Sequence, residues 1–148
     1  MGDVNQKIDP CETLFTYIPQ RPPMVMIDTL VKADKTEYVS LFEIKADNIF
    51  VEGKYLREPG LIENIAQTSA AGLGSQYRAR GQSIPLGFIG AVQKLEIRAL
   101  PEIGDCLKTV VNLVHTVMNI SVIDGMVYNQ GTLIAHCSMK LVLQEEQG

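Results

Sequence analysis

The sequence predicts an α+β domain in which one long central helix packs on a curved antiparallel sheet. Three observations lead there. A single convincing helical pattern occupies the middle of the chain, two β-like stretches precede it, and after it the hydrophobic period changes to two.

Residues 1–16 are polar and aperiodic and read as an N-terminal extension, with 17–148 as a single domain. Tyr17 to Pro23 (YIPQRPP) is turn-like, since each proline restricts its own backbone and that of the residue before it. Met24 to Val31 is apolar and β-branched, as a buried strand should be. A polar turn over Lys32–Lys35 joins it to a second strand over Glu37–Ile44. The helix begins near Pro59, because proline suits the first turn where its missing N–H costs nothing. Ile62, Ile65, Ala66, Ser69, Ala70, Leu73 and Tyr77 then recur at helical spacing. Small residues (Ala66, Ser69, Ala70, Ala71) let its backbone lie close to a sheet, and Gly72 and Gly74 weaken its latter half. Gly87–Arg98, Asp105–Met118, Ile120–Asp124 and Met126–Leu143 read as strands, with Gly104-Asp105 and Asp124-Gly125 as hairpin-type turns.

The chain of 148 residues is long enough for one domain with a real core. No run approaches the ~18 apolar residues of a membrane span, and the N-terminus lacks a basic-then-apolar leader pattern. A net charge of −4 supplies no basic face for phosphates, so nucleic acid is not expected. The three cysteines (Cys11, Cys106, Cys137) have neither metal-ligand nor disulfide spacing. Cys106 and Cys137 alternate with apolar neighbours and read as small buried hydrophobes. Together these features predict a reduced, cytoplasmic protein.

Chemistry concentrates between Asn48 and Gln67 (NIFVEGKYLREPGLIENIAQ). Glu63 falls in the first turns of the helix among Leu61, Ile62, Ile65 and Ala66. A carboxylate in such surroundings costs several kcal/mol unless it is paired or neutralised. It is therefore either a paired structural group or a site residue with a shifted pKa. His136 shares strand parity with Thr132, Ser138 and Lys140 and should face solvent. His115 shares parity with Val111, Leu113 and Val117 and reads as a core or interface histidine. Asp28, inside the first apolar strand, reads as structural, bonding to a backbone turn.

Several local motifs, in order, resemble the 3-hydroxyacyl-ACP dehydratase branch of the hotdog fold. They are Ile18-Pro19-Gln20-Arg21-Pro22-Pro23-Met24 with Ile27-Asp28, Asn48-Ile49-Phe50 through Gly53, Pro59-Gly60 with Glu63-Asn64-Ile65-Ala66-Gln67, and Leu100-Pro101 with Gly104-Asp105. The resemblance spans roughly Tyr17 to Leu143. It implies a hotdog fold and a site at a subunit interface, where a loop histidine of one subunit and a helix acid of the other remove water from a 3-hydroxyacyl thioester. By position Glu63 is that acid, Gly60 and Leu61 supply backbone N–H groups to the thioester carbonyl, and Gln67 orients Glu63. The tunnel for the acyl chain would take walls from the helix and from the strand around Phe88, Gly90 and Val92.

The chain departs from the pattern at two points. Gln20 stands where the family usually has a histidine, and Lys54 stands at the position of the catalytic histidine, on a shorter loop. Lys54 could be a base only if its pKa fell from ~10.4 towards neutrality; otherwise Lys54, Arg57 and Lys94 could meet carrier phosphate. Three functions therefore stay open: a dehydratase-like enzyme of fatty-acid, lipid or polyene biosynthesis, a hotdog thioesterase using Glu63 alone, and an acyl-binding subunit that lends Glu63 to a histidine-bearing partner. Expected partners are acyl carrier protein or a CoA thioester, with the substrate carried on phosphopantetheine and no metal or redox cofactor. An open sheet edge favours a homodimer, a trimer of dimers or a heterodimer.

Overall fold

A computed structural model of the chain describes residues 14–144. The proposed 1–16 extension therefore lies almost wholly outside the described residues, as does Cys11. Leu14–Thr16 forms a short 3₁₀ turn whose Leu14 is buried in the core.

The elements are β1 (Thr29–Ala33), β2 (Glu37–Glu43), β3 (Val51–Glu52), β4 (Tyr55–Leu56), α1 (Glu58–Ala79), β5 (Gly87–Ile97), β6 (Cys106–Val117), β7 (Ile120–Asn129) and β8 (Thr132–Leu143). Six strands form one sheet in the order β1-β2-β6-β7-β8-β5, every neighbouring pair antiparallel. β3 and β4 make a separate small hairpin just before α1. The core lies between α1 and the inner sheet face, with Leu61 and Ile65 meeting Leu107, Val111, Ile123, Val127 and Met139. This is the one-helix-on-a-sheet architecture that the change of period predicts.

The glycines that weaken α1 by propensity are explained by packing. A Cβ at Gly72 would lie 2.1 Å from the Tyr38 ring, and one at Gly74 would lie 2.5 Å from the Tyr17 carbonyl. The helix therefore sits closer to β2 and to the N-terminal segment than any side chain would allow.

Beneath α1 runs a buried polar network. Thr109 Oγ1 donates to Asn64 Oδ1, and Asn64 Nδ2 donates to the Met26 carbonyl at 2.7 Å. Thr68 Oγ1 donates to the Asn64 carbonyl and also meets Ser40 Oγ, each at 2.7 Å. Every link satisfies a group that would be costly alone, so the network fixes the rotation of the helix on the sheet.

Four expectations are corrected here. The first strand begins at Thr29, because Met24 and Met26 bond to helix side chains instead of to a strand. Asp124-Gly125 is not a turn: β7 runs straight through it, and Gly125 is there because a Cβ would lie 2.4 Å from Ile65 Cγ2. The hairpin turn falls instead at Gln130-Gly131, both at positive φ (51° and 79°). Cys106 is exposed, whereas Cys137 is buried and its thiol is pushed up to about 11 by burial and by Asp124. His115 is exposed and not in the core, because the end of β6 from Val114 to Val117 is exposed on both faces in the single chain. His136 is partly exposed on the outer face and lies 2.9 Å from Glu96, bridging β8 and β5. Asp28 accepts the Glu43 N–H at 2.7 Å, a structural role at the start of β1.

Candidate active site

Pro59 and the short β3–β4 hairpin set the start of α1. The helix has no side-chain cap at Arg57; Glu58 supplies the acid in the first turn, 2.9 Å from Arg57. The Glu58 carboxyl is held below its ordinary value by its own backbone N–H, against a desolvation penalty and with help from Arg57. Gly60 is needed because a Cβ would lie 2.7 Å from Leu56 Cδ1. Its N–H donates to the Arg57 carbonyl at 2.9 Å, and Gly60 and Leu61 are both buried.

Glu63 is half-buried one turn further on and faces a cavity of about 260 Å³. Helix residues Ala66, Ala70, Leu73 and Gly74 form one wall, with Leu141 and Leu143 of β8 opposite. Gly87, Phe88 and Ile89 of β5 form another wall, and Tyr17, Pro19 and Gln20 close the remaining side. Alanines at 66 and 70 leave the space that larger residues would fill. The cavity is thus an apolar trough with a carboxylate at one end.

Gln67 holds the acid. Its Nε2 donates to Glu63 Oε2 at 3.0 Å and to the Met24 carbonyl at 2.8 Å, while its Oε1 accepts the Met26 N–H at 2.7 Å. Gln67 is fully buried, so its amide has no alternative partner in water. Gln67 therefore ties one oxygen of the Glu63 carboxylate.

The remaining candidates lie elsewhere. Lys54 occupies the tip of the β3–β4 hairpin with its side chain 63% exposed, 3.3 Å from Glu102. Hydrogen bonding to Glu102 raises its pKa, the opposite of what a base at neutral pH requires. Lys54, Arg57, Gly60, Leu61, Gly90 and Lys94 do not line the cavity that Glu63 faces. Gly90 sits in the β5 bulge, where a Cβ would lie 3.0 Å from Val142 Cγ2. Phe88 does line the cavity, although 53% of it is exposed in the single chain. Neither His115 nor His136 lines it. The sequence reading missed Tyr17, Gln20 and Ile84 as lining residues, and only their separation in the chain hid them. Among the described residues no three metal-ligating side chains cluster, and no helix is long and apolar enough to cross a membrane.

A helix laid on a six-stranded antiparallel sheet, with an acid at the head of an apolar trough, defines a hotdog-fold protein. The chain belongs to the ApeP-like family, described as ApeP dehydratase, whose model matches residues 12–147. It is a dehydratase-like hotdog protein. Solved structures share the fold at low identity. A chain of the dehydratase heterocomplex ApeI:P from Xenorhabdus doucetiae aligns with a TM-score of 0.84 at 16% identity, covering 90% of this chain and 91% of that one. The E. coli PaaI protein from the phenylacetic acid degradation operon gives 0.62 at 17% identity, covering 76% and 80%. A hypothetical thioesterase with coenzyme A from Streptococcus pneumoniae gives 0.64 at 13% identity, covering 80% and 87%. No curated protein matches the sequence.

Proposed function

We propose that this chain is the acid-bearing subunit of a 3-hydroxyacyl-thioester dehydratase whose base comes from a histidine-bearing partner. One observation carries the reading. Glu63 stands oriented at the head of an apolar cavity, and Tyr17 is the one other titratable side chain among the described residues that line it. Dehydration needs a base to take the proton from carbon 2 and an acid to protonate the departing hydroxyl. Water and a 2,3-enoyl thioester result. Glu63 serves as the acid. Lys54, held as an ammonium by Glu102, does not serve as the base.

The free edge of β5 supports assembly with a second subunit. This 11-residue strand is bonded on one side only and exposes Phe88, Ile89 and Leu95. A dehydratase heterocomplex among proteins of the same fold is in keeping with such a partner. The substrate would be carried on the phosphopantetheine of an acyl carrier protein or CoA in cytoplasmic fatty-acid, lipid or polyene synthesis.

The test is turnover of a 3-hydroxyacyl thioester by the purified chain, alone and mixed with a histidine-bearing hotdog dehydratase subunit. The chain alone should bind the thioester without releasing water, and the mixture should dehydrate it, with Glu63→Gln abolishing the gain. Dehydration by the chain alone that Glu63→Gln removes would overturn the need for a partner. Release of free thiol would identify hydrolysis instead.

A further inference from the structure

The trough that Glu63 faces has a direction. Ile65 lies over Gly125, which pairs with Cys137 of β8. At the other end Tyr77 and Leu143 border one hollow. Helix residues 65 to 77 and strand residues 137 to 143 therefore advance side by side in the same sense. The trough between them leads from Glu63, past Ala66 and Ala70, towards Leu73 and Gly74 at the C-terminal end of α1.

Leu143 stands where this trough meets a second hollow. Leu73 lines the first cavity, and Tyr77, one helical turn on, lines the second, of about 560 Å³, together with Met118 and Asn119. Pro85 and Leu143 line both and so mark the boundary. The Leu143 side chain lies on the inner sheet face, the face of the buried Leu141 two residues earlier. Its Cδ2 lies 3.4 Å from the place where Gly87, its cross-strand partner, would carry a Cβ, so the leucine reaches over space that the glycine leaves. The strand end that carries it is clamped. The Leu143 N–H donates to the Asn119 carbonyl at 2.8 Å, the Leu143 carbonyl accepts Asn119 Nδ2 at 3.1 Å, and the Gln144 N–H donates to the Leu86 carbonyl at 2.7 Å.

Resting on the dehydratase reading above, we infer that Leu143 is the stop that sets acyl chain length, dividing the trough from the hollow beyond. The eleven helix steps from Glu63 to Gly74 span about 16 Å. An extended alkyl chain, with bonds of about 1.5 Å at about 111°, advances about 1.25 Å per carbon. The trough therefore takes about a dozen carbons past the reacting centre before the chain meets Leu143. Each methylene placed before the stop is buried and strengthens binding. A methylene beyond it must displace a side chain on a clamped strand or turn out into water, and adds nothing.

The experiment measures binding to the full chain by calorimetry. The probes are saturated acyl pantetheine ketones with chains of roughly 8 to 18 carbons, in which a methylene replaces the thioester sulfur so that neither dehydration nor hydrolysis intervenes. Affinity for the wild type should rise about threefold per added carbon and then break off near 14 carbons. Leu143→Ala should move the break outward by about two carbons or more, with the shorter probes bound as before, because the trough then opens into the second hollow. Leu143→Phe should move it inward. A wild-type series that rises to the longest probe, or a break that Leu143→Ala leaves in place, would overturn the assignment while the dehydratase reading stands. Affinity independent of chain length would show that the acyl chain lies outside the trough and likewise overturn it. Failure of every probe to bind would instead overturn the acyl-thioester reading itself. Should Leu143→Ala not fold, the wild-type break and its shift in Leu143→Phe still decide.

Discussion

The amide nitrogen of Gln67 lies 3.0 Å from Glu63 Oε2 and 2.8 Å from the Met24 carbonyl, so one buried side chain orients the acid and fastens the segment that closes the cavity. Its carbonyl completes the arrangement by accepting the Met26 N–H. Gln67 thus replaces a neighbouring strand for Met24 and Met26, which explains why that apolar stretch stays out of the sheet. Replacing Gln67 by Leu should cost about 1–3 kcal/mol, since it strands the buried Met26 N–H and unties the Met24 carbonyl. Urea unfolding checks this; a loss under about 1 kcal/mol would mean that water takes over the bonds. In the folded fraction of the assembled enzyme, Gln67→Leu should lower kcat about tenfold or more with acyl binding nearly unchanged.

Lys54 should be dispensable for chemistry. It is exposed and paired with Glu102, and its raised pKa keeps it an ammonium throughout the neutral range. The stability it gains from Glu102 is present below its unfolded value and is lost only as pH rises through the higher folded value. Lys54→Met should therefore leave the pH–rate profile between pH 6 and 9 unchanged, with kcat within about twofold. Disappearance of a basic limb in that variant would restore lysine as the base.

Gly125 and Gly131 should fail for different reasons. At Gly125 a Cβ meets Ile65 at 2.4 Å, so Gly125→Ala should cost about 1–3 kcal/mol by overpacking. Ile65→Ala in the same chain should make the alanine at 125 far better tolerated, a coupling that a double-mutant cycle reads directly. At Gly131 nothing lies within 4 Å of the added Cβ, and the cost, about 1 kcal/mol, comes from its φ of 79°. No change at Ile65 should relieve it.

Tyr38 should limit alkaline stability. Burial first, with smaller contributions from Asp34 and Tyr77 against Arg80, pushes its hydroxyl up to about 12. Between the ordinary value near 10 and that value the unfolded chain releases the proton that the folded chain retains, so stability falls as pH rises. The loss attributable to Tyr38 is roughly 2–3 kcal/mol across that window. Denaturant unfolding at pH 9 and pH 12 should show a smaller alkaline loss in Tyr38→Phe than in the wild type. Parallel curves would show that Tyr38 ionises freely.

Local signals were legible wherever the physics is local. The helix from Pro59, the period-two strands and the i,i+4 relation of Glu63 to Gln67 all depend on residues within a few positions of one another. Asp124-Gly125 misled because an Asp-Gly pair reads as a turn unless one knows that Ile65, sixty residues away, presses on that glycine. His115 is not the core residue that its parity suggested, because the end of β6 from Val114 to Val117 is exposed on both faces in the single chain. From sequence Lys54 reads as the residue at the family's histidine position, yet its character is set by Glu102, which the hairpin meets through the Ile103 N–H donating to the Lys54 carbonyl.

The sequence by itself determined the order of the helix and the six sheet strands, and the Glu63–Gln67 pair, because each follows from spacing along one segment. Only the tertiary structure decided which groups share the cavity. Tyr17, Gln20, Glu63, Phe88 and Leu141 converge there because the helix, the edge strand and the N-terminal segment pack together, and that packing depends on contacts between parts of the chain that are remote in sequence.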